Sequence, residues 1–234
     1  MRRVIFAALI FAALSPALSA SAQPGGQAPD TMEARVLACA PCHGPHGQGT
    51  GNEYFPRLSG KPAGYLYNQL VAFRDGRRRY PPMNYLLGYL PDTYLQAMAA
   101  YFAAQRPPLP LPVAPIVSDD LLALGKSLGM HGDPARGIPA CSGCHGPAFT
   151  GMEPGIPGLL GLRPNYITAQ LGAWRYGTRT AAAPDCMQIV AGHLTETDVT
   201  AVAAWLATVP ATEDAAPVAR GALPMPLACG SEPR

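Results

Sequence analysis

Lysine is nearly absent: Lys61 and Lys126 are the only two in 234 residues. A ring of ammonium groups for docking a strongly acidic partner is thereby excluded. Charged residues of every kind make up 14% of the chain, well below the roughly 25% of an ordinary globular protein. Neither sign is in excess. The 17 Lys and Arg include Arg2 and Arg3, and without these the balance is 15 basic against 15 acidic residues. A nucleic-acid binder would need a strongly basic face. Past the N-terminal stretch, nothing is apolar for long enough to cross a bilayer. Alternating runs that would argue for a substantial sheet are missing, as is a βαβ pattern.

Met1-Arg2-Arg3 is followed by the apolar run Val4 to Leu14 and by a small-residue site in which Ala20 and Ala22 form A-x-A. This is the layout of a secretory signal peptide, residues 1–22, with an uncleaved amphipathic anchor as its rival. The expected location is the periplasm.

Two stretches organise the rest: Cys39-Ala40-Pro41-Cys42-His43 and Cys141-Ser142-Gly143-Cys144-His145. C-x-x-C-H is the attachment signature of c-type haem. Two thiols three positions apart can each form a thioether with one porphyrin, and the adjacent histidine is held under the iron. A redox dithiol would want a βαβ frame. A zinc site would have to join the two pairs and would give the histidines no reason to follow them. Cys39, Cys42, Cys141 and Cys144 are therefore read as attaching two covalent haem c groups. Export agrees, because bacterial haem c is attached outside the cytoplasm.

Around the motifs the chain repeats itself. Pro56-Arg57-Leu58-Ser59-Gly60 matches Pro157-Gly158-Leu159-Leu160-Gly161. Tyr65, Gln69, Leu70, Phe73, Arg74, Gly76 and Arg78 match Tyr166, Gln170, Leu171, Trp174, Arg175, Gly177 and Arg179, all at an offset of 101. The copies span 28–106 and 118–210. Between them 107–117, within the run RPPLPLPVAPIV, cannot continue a helix and reads as an extended spacer; 211–234 is an extension. Each copy reads as all-α. Asp30 with Glu33 resembles a capping box, and Thr195 with Asp198 begins the last helix. Pro91-Asp92 and Ser118 open two more. Leu66, Leu70 and Phe73 make one apolar face, repeated by Ile167, Leu171 and Trp174. The haem itself supplies core that so short a domain could not build.

His43 and His145 leave one axial position on each iron. Methionine there suits electron transfer, and an open position suits ligand binding or catalysis. Met83 lies 40 residues after His43 and Met187 lies 42 after His145, in what read as equivalent Pro-rich loops. Met98 reads as packing, Met152 follows His145 too closely, and Met32, Met130 and Met225 lie outside the loops. His46, His131 and His193 have no motif around them. Arg74 and Arg175 are candidates to neutralise haem propionates, and Tyr65 and Tyr166 read as packing or propionate-bonding residues. The basic cluster Arg74 with Arg77-Arg78-Arg79 reads as a solvated face, with a propionate or partner contact as its alternative. Cys186 and Cys229 are needed by neither haem. In an oxidising compartment they are expected to pair, pinning the tail onto the Met187 segment; alternatively Cys186 ligates the second iron or is a reactive thiol.

The combination of motifs, P-x-L-x-G segments, Y-x-x-x-Q-L-x-x-[FW]-R-x-G helices, methionines and prolyl linker resembles the dihaem cytochromes c4, from about Asp30 to Pro210. The resemblance implies two tandem cytochrome c domains about a pseudo-twofold axis, with propionates meeting near the interface. It implies axial pairs His43/Met83 and His145/Met187, and periplasmic electron carriage from a quinol-oxidising complex or a dehydrogenase toward a terminal oxidase or another cytochrome. Cys186, the tail and the loop from Gly146 to Gly155 depart from the pattern. The expectation is an electron carrier rather than an enzyme. The rivals are a dedicated electron-accepting subunit of a dehydrogenase complex, and a dihaem oxidoreductase resembling thiosulfate dehydrogenase with a Cys-ligated or open haem.

Overall fold

The computed structural model describes residues 30–113, 115–211 and 215–232; the expected signal peptide lies outside them. The first half holds α1 (Met32–Arg35), α2 (Ala40–His43), α3 (Ala63–Arg74), α4 (Pro81–Leu87) and α5 (Asp92–Ala104). The second holds α6 (Asp119–His131), α7 (Ser142–His145), β1 (Gly151–Met152), β2 (Ile156–Pro157), α8 (Pro164–Arg175), α9 (Cys186–His193) and α10 (Glu196–Thr208). The two-residue strands pair antiparallel, Gly151 opposite Pro157.

Each half has its own core. Leu66, Phe73, Leu95, Met98 and Phe102 form the first, so Met98 is packing. Leu128, Phe149, Ile167, Leu171, Val202 and Leu206 belong to the second. In that half α6 crosses α10 closely: a Cβ on Gly125 would lie 2.1 Å from the Ala201 carbonyl oxygen. Any larger residue there would push the helices apart.

Several helix starts follow the expected chemistry. Ser118 Oγ accepts from the Leu121 amide at 3.3 Å, and Pro91 immediately precedes α5. Thr195 and Asp198 make a reciprocal capping box. The N-terminal cap differs from expectation. Thr31, one residue later than Asp30, is the extended residue, and its hydroxyl accepts from the Ala34 amide; Asp30 instead pairs with Arg35. The segments around Met83 and Met187 are also helices rather than loops. Proline sits in the first turn of α4, where its missing N–H costs nothing, and the Asp185 side chain caps α9 through the Gln188 amide.

Asp198 is buried, 3% exposed, and accepts from Arg136 at 2.7 Å and from the Thr195 amide at 2.8 Å. Burial pushes its pKa up, but the bonds from Arg136 and Thr195 outweigh this and the net shift is downward. A depressed carboxyl stabilises the fold above its ordinary range and ceases to as pH falls through the folded-state value. Replacing Asp198 by Asn should therefore cost about 1–3 kcal/mol at neutral pH. Denaturant titrations should show the gap closing in acid.

The prolyl stretch is held at both ends. Arg57 donates to the carbonyls of Pro107 and Pro108, and the Val113 amide donates to the Ala207 carbonyl at 2.9 Å. Between the halves the Tyr65 amide donates to Pro154, Arg79 to Thr178 and Thr180 to Arg77. Arg78 pairs with Arg179 in an antiparallel bridge. These are the same residue in the two copies, as contact across a pseudo-twofold axis requires.

Candidate functional site

Cys39 ends a 3-10 turn over Leu37–Cys39, and the short helix α2 carries Cys42 and His43. In the second half α7 begins just after Cys141 and carries Cys144 and His145. One helical turn suffices to present two sulfurs and an imidazole together. Both histidines are buried, 7% exposed. Nδ1 of His43 donates to the Pro56 carbonyl at 2.9 Å, and Nδ1 of His145 donates to the Pro157 carbonyl at 2.7 Å. The repeated P-x-L-x-G segment thus supplies the carbonyl that sets the tautomer and leaves Nε2 free, the arrangement of a metal-ligating histidine. Burial lowers both imidazole pKa values, so both stay neutral. The repeat was visible in the sequence, but this role was not.

Burial pushes the Cys141 thiol up to about 11 and raises those of Cys39 and Cys144 as well. A reactive dithiol needs the opposite shift. Among the described residues there is no group of three or more His, Cys, Asp or Glu able to hold a metal ion. The zinc and dithiol alternatives thus lack their chemistry.

Met187 lines one apolar cavity with Cys141, Cys144 and His145. Met83 packs against the first core, as Cys39 does. Trp174 also lines this second-domain cavity, and its indole Nε1 is buried without an acceptor. Such an orphan costs about 1–3 kcal/mol, and a carboxylate placed in the cavity would satisfy it.

The interface makes the same demand more strongly. Arg78 and Arg179 are buried. Arg78 donates to Tyr166 Oη at 2.9 Å, to Gln170 at 2.6 Å and to Gln69 at 2.9 Å. Arg179 reciprocates to Tyr65 Oη at 3.4 Å, to Gln69 at 2.8 Å and to Gln170 at 2.8 Å. Arg78 stacks on Phe73 at 4.4 Å and Arg179 on Trp174 at 3.7 Å. Among the described residues no carboxylate pairs with either guanidinium. Burial and the neighbouring Arg78 lower the Arg179 pKa. Two adjacent buried cations call for anions, and haem brings two propionates per group. The residues fit it.

This corrects two expectations. Arg78 is buried in the interface, not part of a solvated face, and Arg74 is bound to Asp92 and Asp75 at 2.6 and 3.0 Å. Arg78 and Arg179, rather than Arg74, are the guanidiniums buried at the interface. His193 bonds the Gly137 carbonyl.

The sulfurs of Cys186 and Cys229 are bonded to each other, and a disulfide sulfur has no thiolate to give an iron. Leu227, Cys229 and Ser231 of the tail line the same cavity as Met187 and His145. Val218 exchanges hydrogen bonds with Gly151 and Glu153. Gly155 lies so close beneath the tail that a Cβ there would be 2.0 Å from the Ser231 carbonyl.

Residues 33–103 match the cytochrome c family model. The chain is 35% identical over 215 residues to the thiosulfate dehydrogenase electron acceptor of Thiomonas intermedia, covering 90% of this chain and 92% of that protein. It is 35% identical over 176 residues to cytochrome c4 of Pseudomonas aeruginosa, covering 74% and 85%. The chain belongs to the cytochrome c4 family. Like that family it has two tandem cytochrome c-type domains and two covalently bound haem c groups. Reduced cytochrome c4 from Pseudomonas stutzeri superposes with a TM-score of 0.67 at 30% identity, covering 76% of this chain and 96% of that one. Thiosulfate dehydrogenase from Marichromatium purpuratum gives 0.68 at 35% identity over 76% of this chain, but only 40% of that longer chain is covered. Among the described residues no helix of this dihaem cytochrome is long and apolar enough to cross a membrane.

Proposed function

We propose that this cytochrome c4-family chain is an exported, periplasmic electron carrier that accepts electrons singly from a thiosulfate-oxidising dehydrogenase and passes them to a further redox protein. The observation that carries the reading is the likeness, over 90% of the chain, to a protein named as the electron acceptor of thiosulfate dehydrogenase. Cys39 and Cys42 attach one haem, and Cys141 and Cys144 the other. His43 with Met83 would hold one iron and His145 with Met187 the other. Once attached, haem supplies a one-electron iron centre.

The chain's own residues do the rest. The Pro56 and Pro157 carbonyls orient the histidines, the two apolar cores keep water from the irons, and Arg78 and Arg179 offset the propionate charge. Disulfide bonding of Cys186 supports methionine rather than thiolate at the second iron. Beside Met83 the surface is apolar and aromatic, with Tyr85 82% and Tyr89 96% exposed and Leu86 between them in sequence. That edge suits the brief docking of a dehydrogenase.

Stopped-flow mixing of the oxidised protein with a thiosulfate dehydrogenase tests this. Both haems should be reduced when dehydrogenase and thiosulfate are present together, and neither by thiosulfate alone. Reduction by thiosulfate alone would make the chain an oxidoreductase. Reduction only by a quinol-oxidising complex would make it a respiratory carrier instead.

A further inference from the structure

Lys61 is one of two lysines in the chain and is buried, 7% exposed. It follows the first P-x-L-x-G segment directly. Its counterpart at the repeat offset of 101 is Leu162, packed in the second core. Lys61 does not serve its own domain. Its Nζ crosses the boundary and donates to the Gly158 carbonyl at 2.7 Å, and the side chain lines the cavity that holds Cys141, Cys144, His145 and Met187.

An ammonium has three protons to donate, and the Gly158 carbonyl accepts one. Among the described residues no carboxylate forms an ion pair with Lys61, and the charged neighbour acting on it, Arg57, has the same sign. Burial, with Arg57 adding to it, pushes the Lys61 pKa down to about 7. A buried cation without a carboxylate is expensive. It is retained at the wall of a cavity whose occupant carries carboxylates and changes charge by one unit in each redox cycle. A fixed positive charge beside that occupant opposes the extra positive charge of ferric iron more than ferrous.

We propose that Lys61 acts across the domain boundary as the residue that sets the potential of the second haem, raising it. The proposal rests on the two-haem reading above. One electron leaves the first iron, which becomes ferric, and reduces the second, which becomes ferrous; no bond or proton moves. Lys61 biases the equilibrium constant of that exchange toward the second haem.

The test is redox titration of the full-length holoprotein at pH 6, with each haem followed separately by its paramagnetically shifted NMR methyl signals. Haem content is measured in parallel. Lys61→Met should move the exchange constant about tenfold away from the second haem, which is about 59 mV for one electron. Lys61→Arg should restore it to within about twofold. Lys61→Gln, which keeps a donor for Gly158 without the charge, should behave as Lys61→Met does and stands in if the methionine packs badly. Two haems with an unchanged constant in the uncharged variants would overturn the proposal, as would equal shifts in the Arg and Met variants. Loss of a haem from both uncharged variants would assign Lys61 to haem retention and overturn it too. A wild-type chain lacking two haems would instead defeat the two-haem reading itself.

Discussion

A chain in which Cys141 and Cys144 are both alanine should leave the cell with one haem instead of two, and with a second domain that no longer folds tightly. Half of the haem absorbance per chain should disappear, and mass spectrometry should show a single attached group. The effect on structure should exceed that of deleting two small side chains. The cavity they line is walled by Leu159, Leu162, Ile167, Leu171, Val202 and Leu206. These residues are drawn together where α8 and the segment before it pack against α10, but they face a volume that side chains do not fill. Without the macrocycle their apolar surface meets water, at roughly 25 cal/mol for each Å² exposed. Arg179 and Trp174 Nε1 lose the propionates that would offset them. The melting curve should therefore split, with a second-domain transition well below that of the first. The first domain should keep its haem, because Val36, Leu66, Leu95 and Phe102 form a separate core. Two haems retained by this double variant would refute the attachment sites, and none at all would show that the first domain cannot load alone.

Much of this arrangement can be read from the residues, and the limits are physical. The duplication is legible because the offset of 101 holds from Tyr65 through Arg78. Ser118, Thr195 and Asp198 are legible because caps act within three residues. Thr31 against Asp30 is a choice between adjacent oxygens that backbone angles decide. Around Met83 and Met187 proline and aspartate read as turn formers, although both residues also start helices. The arginines are less legible. Charge pattern cannot say which member of an arginine run turns inward. The usable signal was symmetry: Arg78 and Arg179 are equivalent, and a residue near a twofold axis meets its own copy. Lys61 carries no such signal, because its acceptor lies 97 residues away in sequence.

Replacing Met187 by alanine should lower the potential of the second haem and remove one of two methionine-to-iron charge-transfer bands in the near infrared. Axial ligand identity helps spread haem potentials over about 0.8 V, so a fall on the order of a hundred millivolts or more is expected. Met187 is a first-turn residue of α9, held between the cap formed by Asp185 and the Cys186 bond to Cys229. The helix start is tied to the tail on one side, and the Asp185 side chain also accepts from the Ala181 amide at 2.6 Å. This double anchorage holds the thioether on the cavity wall rather than leaving it to sample rotamers in solvent. Its removal should leave the histidine side untouched, since His145 is oriented from the other direction by Pro157. The first haem should keep its own band and potential, because Met83 belongs to the other core. An unchanged second band in Met187→Ala would mean that another methionine ligates that iron and that Met187 does not. Loss of the band with a thiolate spectrum in its place would point to Cys186, which would first have to be released from its disulfide; treating the variant with a thiol reagent before and after reduction would show whether it had been.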